Sequence, residues 1–177
     1  ISDTGWGKAL WGKLYGQWLC ESCVFAYDFD KFDAADLLPL FAKYNITTFC
    51  APPTMFRFFI KAGIENYDLS SLKHTTIAGE ALNPEVFNKF KEYTGLSLME
   101  GFGQTETTLA IANFVGDTPK PGSMGHPSPM YDVDILTPDG KSCEVGETGE
   151  IVIRTGDKKP VGLFKGYYKN EEATREA

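Results

Sequence analysis

Long hydrophobic runs are missing from this 177-residue sequence: nothing in it approaches the about 18 apolar residues of a membrane-spanning helix. Its most apolar opening stretch, residues 9–27, is interrupted by Lys13, Gln17 and Glu21. Clustered positive charge is missing too. Lys and Arg number 17 against 24 Asp and Glu, a formal net charge of −7, and the basic residues stand singly or in pairs such as Lys158-Lys159. Neutralising a phosphate backbone takes clustered Lys and Arg, so a nucleic-acid partner is not expected. Cysteine is scarce, with only Cys20, Cys23, Cys50 and Cys143. Cys20-Glu-Ser-Cys23 has the CxxC spacing of redox and zinc sites, but zinc takes four ligands and no second CxxC or HxxxH accompanies it. The pair reads as thiols beside a strand, and reduced thiols suit a cytoplasmic protein. The sequon Asn45-Ile-Thr47 falls in an expected strand and carries no meaning there. There is no opening methionine, secretion-signal pattern, internal repeat or low-complexity tract, so the chain reads as a piece of a longer protein.

What is present suits a globular domain: 42% hydrophobic, 14% aromatic and 23% charged residues suffice for a core. Residues 24–27 read as a buried strand. Asp33 caps a helical pattern through Leu37, Leu38, Phe41 and Tyr44, with Pro39 weakening its first turns. Residues 46–50 are β-branched and aromatic, hence a strand, and Pro52-Pro53 opens a helix with Met55, Phe56, Phe59 and Ile60 on one face. A third strand is expected over 75–78. Asn83-Pro84-Glu85 then starts a helix that Gly95 stops, and a fourth strand covers 96–99. Strands alternating with helices imply an α/β fold with a parallel sheet and flanking helices over residues 1–116. Period-two alternation in 131–136 and 150–154, with a turn at Pro138-Asp-Gly140, implies a small antiparallel β subdomain over 117–177.

Ligands of open parallel sheets bind beyond the carboxyl ends of the strands. Three segments fall there: Cys50-Ala-Pro-Pro53, Ala78-Gly-Glu-Ala81 and Met99-Glu-Gly-Phe-Gly103. The third runs into the unusual octet EGFGQTET, Glu100 to Thr107. Gly101 and Gly103 let backbone approach a flat ligand closely, with Phe102 available to stack on it. Thr105 offers a hydroxyl to a phosphate oxygen, and Glu106 is a hard ligand suited to Mg²⁺. Set against this is a plain glycine-rich turn carrying surface acids. Two look-alikes are rejected. Gly7 to Lys13 has Walker A spacing, but Leu14 replaces the metal-binding hydroxyl, so helix or loop is expected; Gly101-x-Gly103 lacks the third glycine of a dinucleotide fingerprint.

These residues resemble the adenylate-forming enzymes: acyl-CoA synthetases, luciferases and nonribosomal adenylation domains. GFGQTE (Gly101 to Glu106) is similar to their [YF]GxTE motif and GEAL (Gly79 to Leu82) to their adenine-side loop. KPGSMGHPSP and GETGEIVIR, then GLFKGYY and NEEAT, follow in the family's order. ISDTGW, KFD with its following LL, and PVGLFKGYY resemble the medium-chain acyl-CoA synthetase branch. The likeness spans essentially the whole chain. Such enzymes join a carboxylic acid to ATP, giving acyl-adenylate and pyrophosphate, and then transfer the acyl group to coenzyme A.

The resemblance implies that Gly79, Glu80 and Ala81 flank the adenine and that Glu100, Gly101 and Phe102 complete that pocket, with Gly103 and Gln104 in the same ATP site. It implies catalytic roles for Thr105, on the phosphate that becomes AMP, and Glu106, as the Mg²⁺ ligand. Gly103 occupies the position where acetate-restricted relatives carry tryptophan. With Ala51 and Pro52 it would line an acyl pocket, favouring medium-chain or aromatic acids over acetate. Thr155-Gly156-Asp157 mimics the family's ribose motif but precedes its proper place, so Asp157 reads as a loop residue. The family's phosphate loop and catalytic lysine have no counterpart among these residues, so the chain alone is expected to be inactive. Two alternatives stay open: an adenylating enzyme with a carrier-protein acceptor, and a non-catalytic nucleotide-binding or interaction module.

Overall fold

The fold is that of a computed structural model, which describes Ile1, residues 5–157 and residues 159–177. Ser2 to Thr4 of the ISDTGW stretch and Lys158 of the lysine pair lie outside the described residues. In chain order the helices are α1 (Gly16–Leu19), α2 (Ala34–Lys43), α3 (Pro53–Lys61), α4 (Pro84–Thr94) and α5 (Glu171–Glu176). The strands are β1 (Thr48–Ala51), β2 (His74–Ile77), β3 (Leu98–Gln104), β4 (Thr108–Ala112), β5 (His126–Pro127), β6 (Asp132–Leu136) and β7 (Glu150–Arg154). A π-helical stretch, Ala9–Tyr15, leads into α1, so the Walker-like segment is helical.

Local chemistry sets the helix ends. Asp33 accepts from the Ala35 amide at 2.8 Å and Asn83 from the Glu85 amide at 2.8 Å, each satisfying a donor that the first turn leaves free. Proline occupies the first position of both α3 and α4, where its missing N–H costs nothing. Gly95 ends α4 in the left-handed conformation, φ 74°, and its amide bonds back to Lys91 O. Pro39 sits inside α2 without ending it: the helix starts at Ala34, so its first turns form ahead of the proline.

β1 pairs with β2 and β2 with β3, both parallel; β4 and β5 then add antiparallel strands, in the order β1-β2-β3-β4-β5. The sheet is therefore mixed. β6 and β7 form a separate antiparallel pair, as the alternation implies, with the turn at Gly140. One buried cluster joins Leu38 and Phe41 of α2, Phe56 and Phe59 of α3, Phe90 of α4 and the inner residues Ala51, Ile77 and Leu98 of the strands. A second gathers Ala110, Ile111 and Tyr131.

Three expectations are corrected. Residues 24–27 form no strand: Phe25 and Tyr27 are exposed with their rings stacked 6.4 Å apart, and no strand pairs with them among the described residues. Cys20 and Cys23 accordingly lie exposed beside no strand, and all four cysteines are free. The sequon also sits outside β1, at a left-handed turn where Asn45 has φ 51°.

Candidate functional site

The octet is not a loop beyond a strand. β3 continues through Gln104, reverses at residues 104–107, and returns as β4, placing EGFGQTET in a hairpin. The register shifts between Phe102 and Gly103, a bulge that turns the strand as it leaves the parallel sheet. Gly103 is demanded by this geometry. A Cβ there would overlap the Thr108 carbonyl oxygen and stand 2.7 Å from its carbon, so the space expected at Gly103 is absent along that direction. Gly101 is also crowded, with Leu109 Cδ1 2.9 Å from where a Cβ would be.

The hairpin tip is tied by short-range and distant bonds. The Gln104 amide donates to Thr107 Oγ1 at 3.0 Å. Buried Tyr131 reaches across from the second part: its hydroxyl donates to Thr107 O and lies 2.9 Å from Thr108 Oγ1. This matters because Thr108 holds a left-handed φ of 56°, which a non-glycine residue adopts at a cost.

Glu100 leads into the hairpin and is buried. Its Oε1 accepts from the Leu82 amide at 3.2 Å, coupling the Ala78–Leu82 loop to β3, while Oε2 has no hydrogen-bond partner among the described residues. Burial pushes the carboxyl above the usual carboxylate range, against the opposing pull of the Leu82 amide. Its carbonyl accepts from both the Asn113 amide, 3.0 Å, and Asn113 Nδ2, 2.9 Å.

At the end of β2, Gly79 takes φ 102°, a conformation that favours glycine. A Cβ there would meet Lys8 Nζ at 3.4 Å and Trp6 at 3.7 Å. The opening segment thus lies over this loop. Lys8 Nζ donates to Ala78 O at 2.8 Å, and the Gly7 amide donates to Thr105 Oγ1 at 3.3 Å. Burial lowers the Lys8 ammonium below the ordinary lysine value, with Lys13 adding to the effect and Cys50 and Glu80 opposing it. Glu80 is exposed and accepts from Thr54 Oγ1 at 3.0 Å; Ala81 is exposed as well.

The structure therefore brings Gly79, Ala78, Thr105 and Glu100 into one neighbourhood at the carboxyl edge of β2 and β3. Other expected residues sit differently. Phe102 packs half-buried against Ala110, Ile111 and Tyr131. Ala51 is fully buried in the main core, and Pro52 is half-buried at the cap of α3. Glu106 is bound from the second part: Tyr167 donates its hydroxyl to Glu106 Oε1 at 2.8 Å, and the Phe164 amide donates to Glu106 O at 2.7 Å. Sequence reasoning assigned no role to Tyr131, Tyr167, Asn113 or Lys8. Only the resemblance, through GLFKGYY, pointed near one of them.

Among the described residues no group of three or more His, Cys, Asp or Glu is placed to hold a metal. A lone carboxylate still fits Mg²⁺ carried on a nucleotide, which takes one or two protein carboxylates and fills its other positions from phosphate and water. Glu106 is half-exposed and offers that carboxylate.

A hairpin carrying a hydroxyl and a carboxylate thus stands beside a glycine loop at the carboxyl edge of the sheet of an α/β domain. The chain belongs to the AMP-binding enzyme family, whose model matches residues 10–168. It is 43% identical over 173 residues to "Acyl-coenzyme A synthetase ACSM3, mitochondrial" of Rattus norvegicus, covering 98% of this chain and 30% of that protein. Among solved structures it resembles an acyl-CoA synthetase of Brucella canis, TM-score 0.83 and 31% identity, over 96% of this chain and 32% of that one. The anthranilate CoA ligase AuaEII, solved with anthranoyl-AMP, superposes with TM-score 0.85 at 28% identity, over 97% of this chain and 32% of that one. The chain thus spans about 30% of the length of the curated relative.

Proposed function

We propose that the whole protein is an AMP-forming acyl-CoA synthetase, in which this chain supplies part of the nucleotide site and part of the acyl pocket. The observation that carries the reading is the meeting of the Gly79 loop with the Thr105 hairpin, linked by the Leu82–Glu100 bond and bridged by Gly7 and Lys8. The likeness to acyl-CoA synthetases over nearly all of the chain supports the same reaction.

In this reading the carboxylate of an acid attacks the α-phosphorus of ATP and pyrophosphate leaves; a thiol sulfur, losing its proton, then attacks the acyl carbon of the acyl-adenylate and AMP leaves. Phosphoryl displacement depends on positioning and charge neutralisation, which these residue types provide. The Gly7 amide occupies a lone pair of Thr105 Oγ1, so the hydroxyl proton stays free to donate to a phosphate oxygen. Gly79, Glu80, Ala81, Glu100, Gly101, Phe102, Gly103 and Gln104 form the nucleotide surroundings in this reading. Glu106 holds Mg²⁺, which supplies neutralisation of phosphate charge when bound.

Coenzyme A is the acceptor in this reading; a carrier-protein thiol is the alternative, and a non-catalytic nucleotide-binding module lies in another class. Ala51 packs in the main core and so is withdrawn from the acyl wall, leaving uncharged, half-buried Pro52 to favour a medium-chain or aromatic acid over acetate; Gly103, in this proposal, shapes the wall through backbone alone. Four free cysteines suit a reducing compartment, and the cytoplasm remains our reading, although the rat relative is named mitochondrial.

Acid-dependent ATP–pyrophosphate exchange by the full-length protein tests the proposal. Exchange with octanoate or benzoate that collapses in Glu106→Gln, with the fold retained, is expected. Absence of exchange with any acid would overturn it, and product analysis with coenzyme A separates the acceptors.

A further inference from the structure

Glu106 does not stand free at the hairpin tip. Tyr167 donates its hydroxyl to Oε1 at 2.8 Å across 61 residues of sequence, and the Phe164 amide grips the main-chain carbonyl of Glu106 at 2.7 Å. The rings of Phe164 and Tyr167 meet edge-on at 5.0 Å. Tyr167 is itself held. Its amide donates to Thr174 Oγ1 at 2.8 Å, and that hydroxyl donates to Asn170 O at 2.7 Å. Asn170 also caps α5 by accepting from the Ala173 amide at 3.0 Å. Gly166, at φ 144°, lets the chain pass against Thr174, where a Cβ would lie 2.7 Å from Cγ2. A continuous set of bonds therefore runs from the cap of α5 through Thr174 and Tyr167 to one oxygen of Glu106.

We propose that Tyr167 is a positioning residue for Glu106: by engaging Oε1 it fixes the carboxylate's rotation and presents Oε2 as the oxygen for Mg²⁺. This rests on the reading of Glu106 as the metal carboxylate. A flexible carboxylate loses side-chain entropy when it binds an ion, and a partner that holds one oxygen beforehand removes part of that cost. The phenol suits the task because it donates one hydrogen bond and adds no charge that would compete with the ion.

The test uses the full-length protein and the variants Tyr167→Phe, Glu106→Gln and the double variant. Mn²⁺ binding to the ATP-loaded protein, followed by electron paramagnetic resonance, gives a readout independent of turnover. The Mg²⁺ dependence of pyrophosphate exchange gives a second. Tyr167→Phe is expected to weaken metal binding about tenfold, the lower end for loss of a partner to a metal ligand. The KM for the acid and the melting temperature should be unchanged. In the Glu106→Gln background, Tyr167→Phe should add no further loss. Metal affinity unchanged in Tyr167→Phe but weakened in Glu106→Gln would overturn the positioning role alone. An additive loss in the double variant would also overturn it. Glu106→Gln with undiminished metal binding would overturn the metal assignment, and the proposal with it. A general drop in melting temperature that accompanies equal losses for metal and acid would show a merely structural role and overturn the proposal.

Discussion

The Cα of Gly103 faces the main-chain carbonyl of Thr108 so closely that any side chain on it would overlap the carbonyl oxygen. The two residues are neighbours across the bulge that closes the motif hairpin. Gly103→Ala should therefore open this hairpin, and Gly103→Trp should abolish pyrophosphate exchange for acetate, butyrate, octanoate and benzoate alike. Comparing kcat/KM for the four acids in wild type and variant checks this. A variant that keeps activity on short acids while losing long ones would restore a direct acyl-lining role.

Glu100 carries a pH signature. Because burial raises its folded pKa above the unfolded value, the folded state binds more protons between the two, and this residue's contribution to stability falls as pH rises across that window. Glu100→Gln keeps an acceptor for the Leu82 amide without the charge. The stability of the variant relative to wild type should therefore grow as pH is raised from the ordinary carboxylate range towards neutrality. Melting temperatures of both proteins across pH 4–8, spanning the usual carboxylate range of about 4, decide it; a difference constant with pH rules the idea out.

Tyr131→Phe should loosen the hairpin tip by removing the donor to Thr107 O and the partner of Thr108 Oγ1. Leaving a buried acceptor unsatisfied costs about 1–3 kcal/mol. The expected outcome is a lower melting temperature together with a raised KM for ATP, since Thr105 and Glu106 sit on the same tip. An unchanged KM would separate the tyrosine from the site.

Phe56 is fully buried and meets Phe90 edge-on at 5.1 Å and Phe49 at 5.7 Å. Phe56→Ala removes those contacts and leaves a cavity between α3 and α4, a loss of about 3–5 kcal/mol. Chemical denaturation checks the magnitude, and Phe56→Leu should lose less than Phe56→Ala. Equal losses in the two variants would argue against a packing origin.

The 177-residue chain by itself should make no acyl-CoA and gain no resolvable thermal stability from ATP. A ligand that binds only the native state must raise its melting temperature, so a clear shift with ATP would contradict this.

Much of the framework was legible residue by residue. Asp33 and Asn83 cap their helices through bonds only two residues long, and Gly95 ends α4 within one turn. In β6 and β7 Val133, Ile151 and Ile153 pack on the second core as the alternation implies, whereas Ile135 on the same face is exposed. Residues 24–27 form no strand despite their composition, because aromatic and β-branched content reports compatibility with a sheet, not the presence of a neighbour to pair with.

By itself, then, the sequence determined the caps of α2 and α4, the proline start of α3, the parallel strands β1 to β3, and the gathering of glycines and acids at their carboxyl edge. Each of these follows from chemistry acting over a turn of helix or a few residues of strand. Only the tertiary structure decided that the motif folds into a hairpin, that Gly103 serves the backbone, and which groups hold the site. The decisive bonds join Thr107 to Tyr131, Glu106 to Tyr167 and Thr105 to Gly7, across 24, 61 and 98 residues. No local period encodes such separations; they arise when packing of the two cores brings remote segments to one edge.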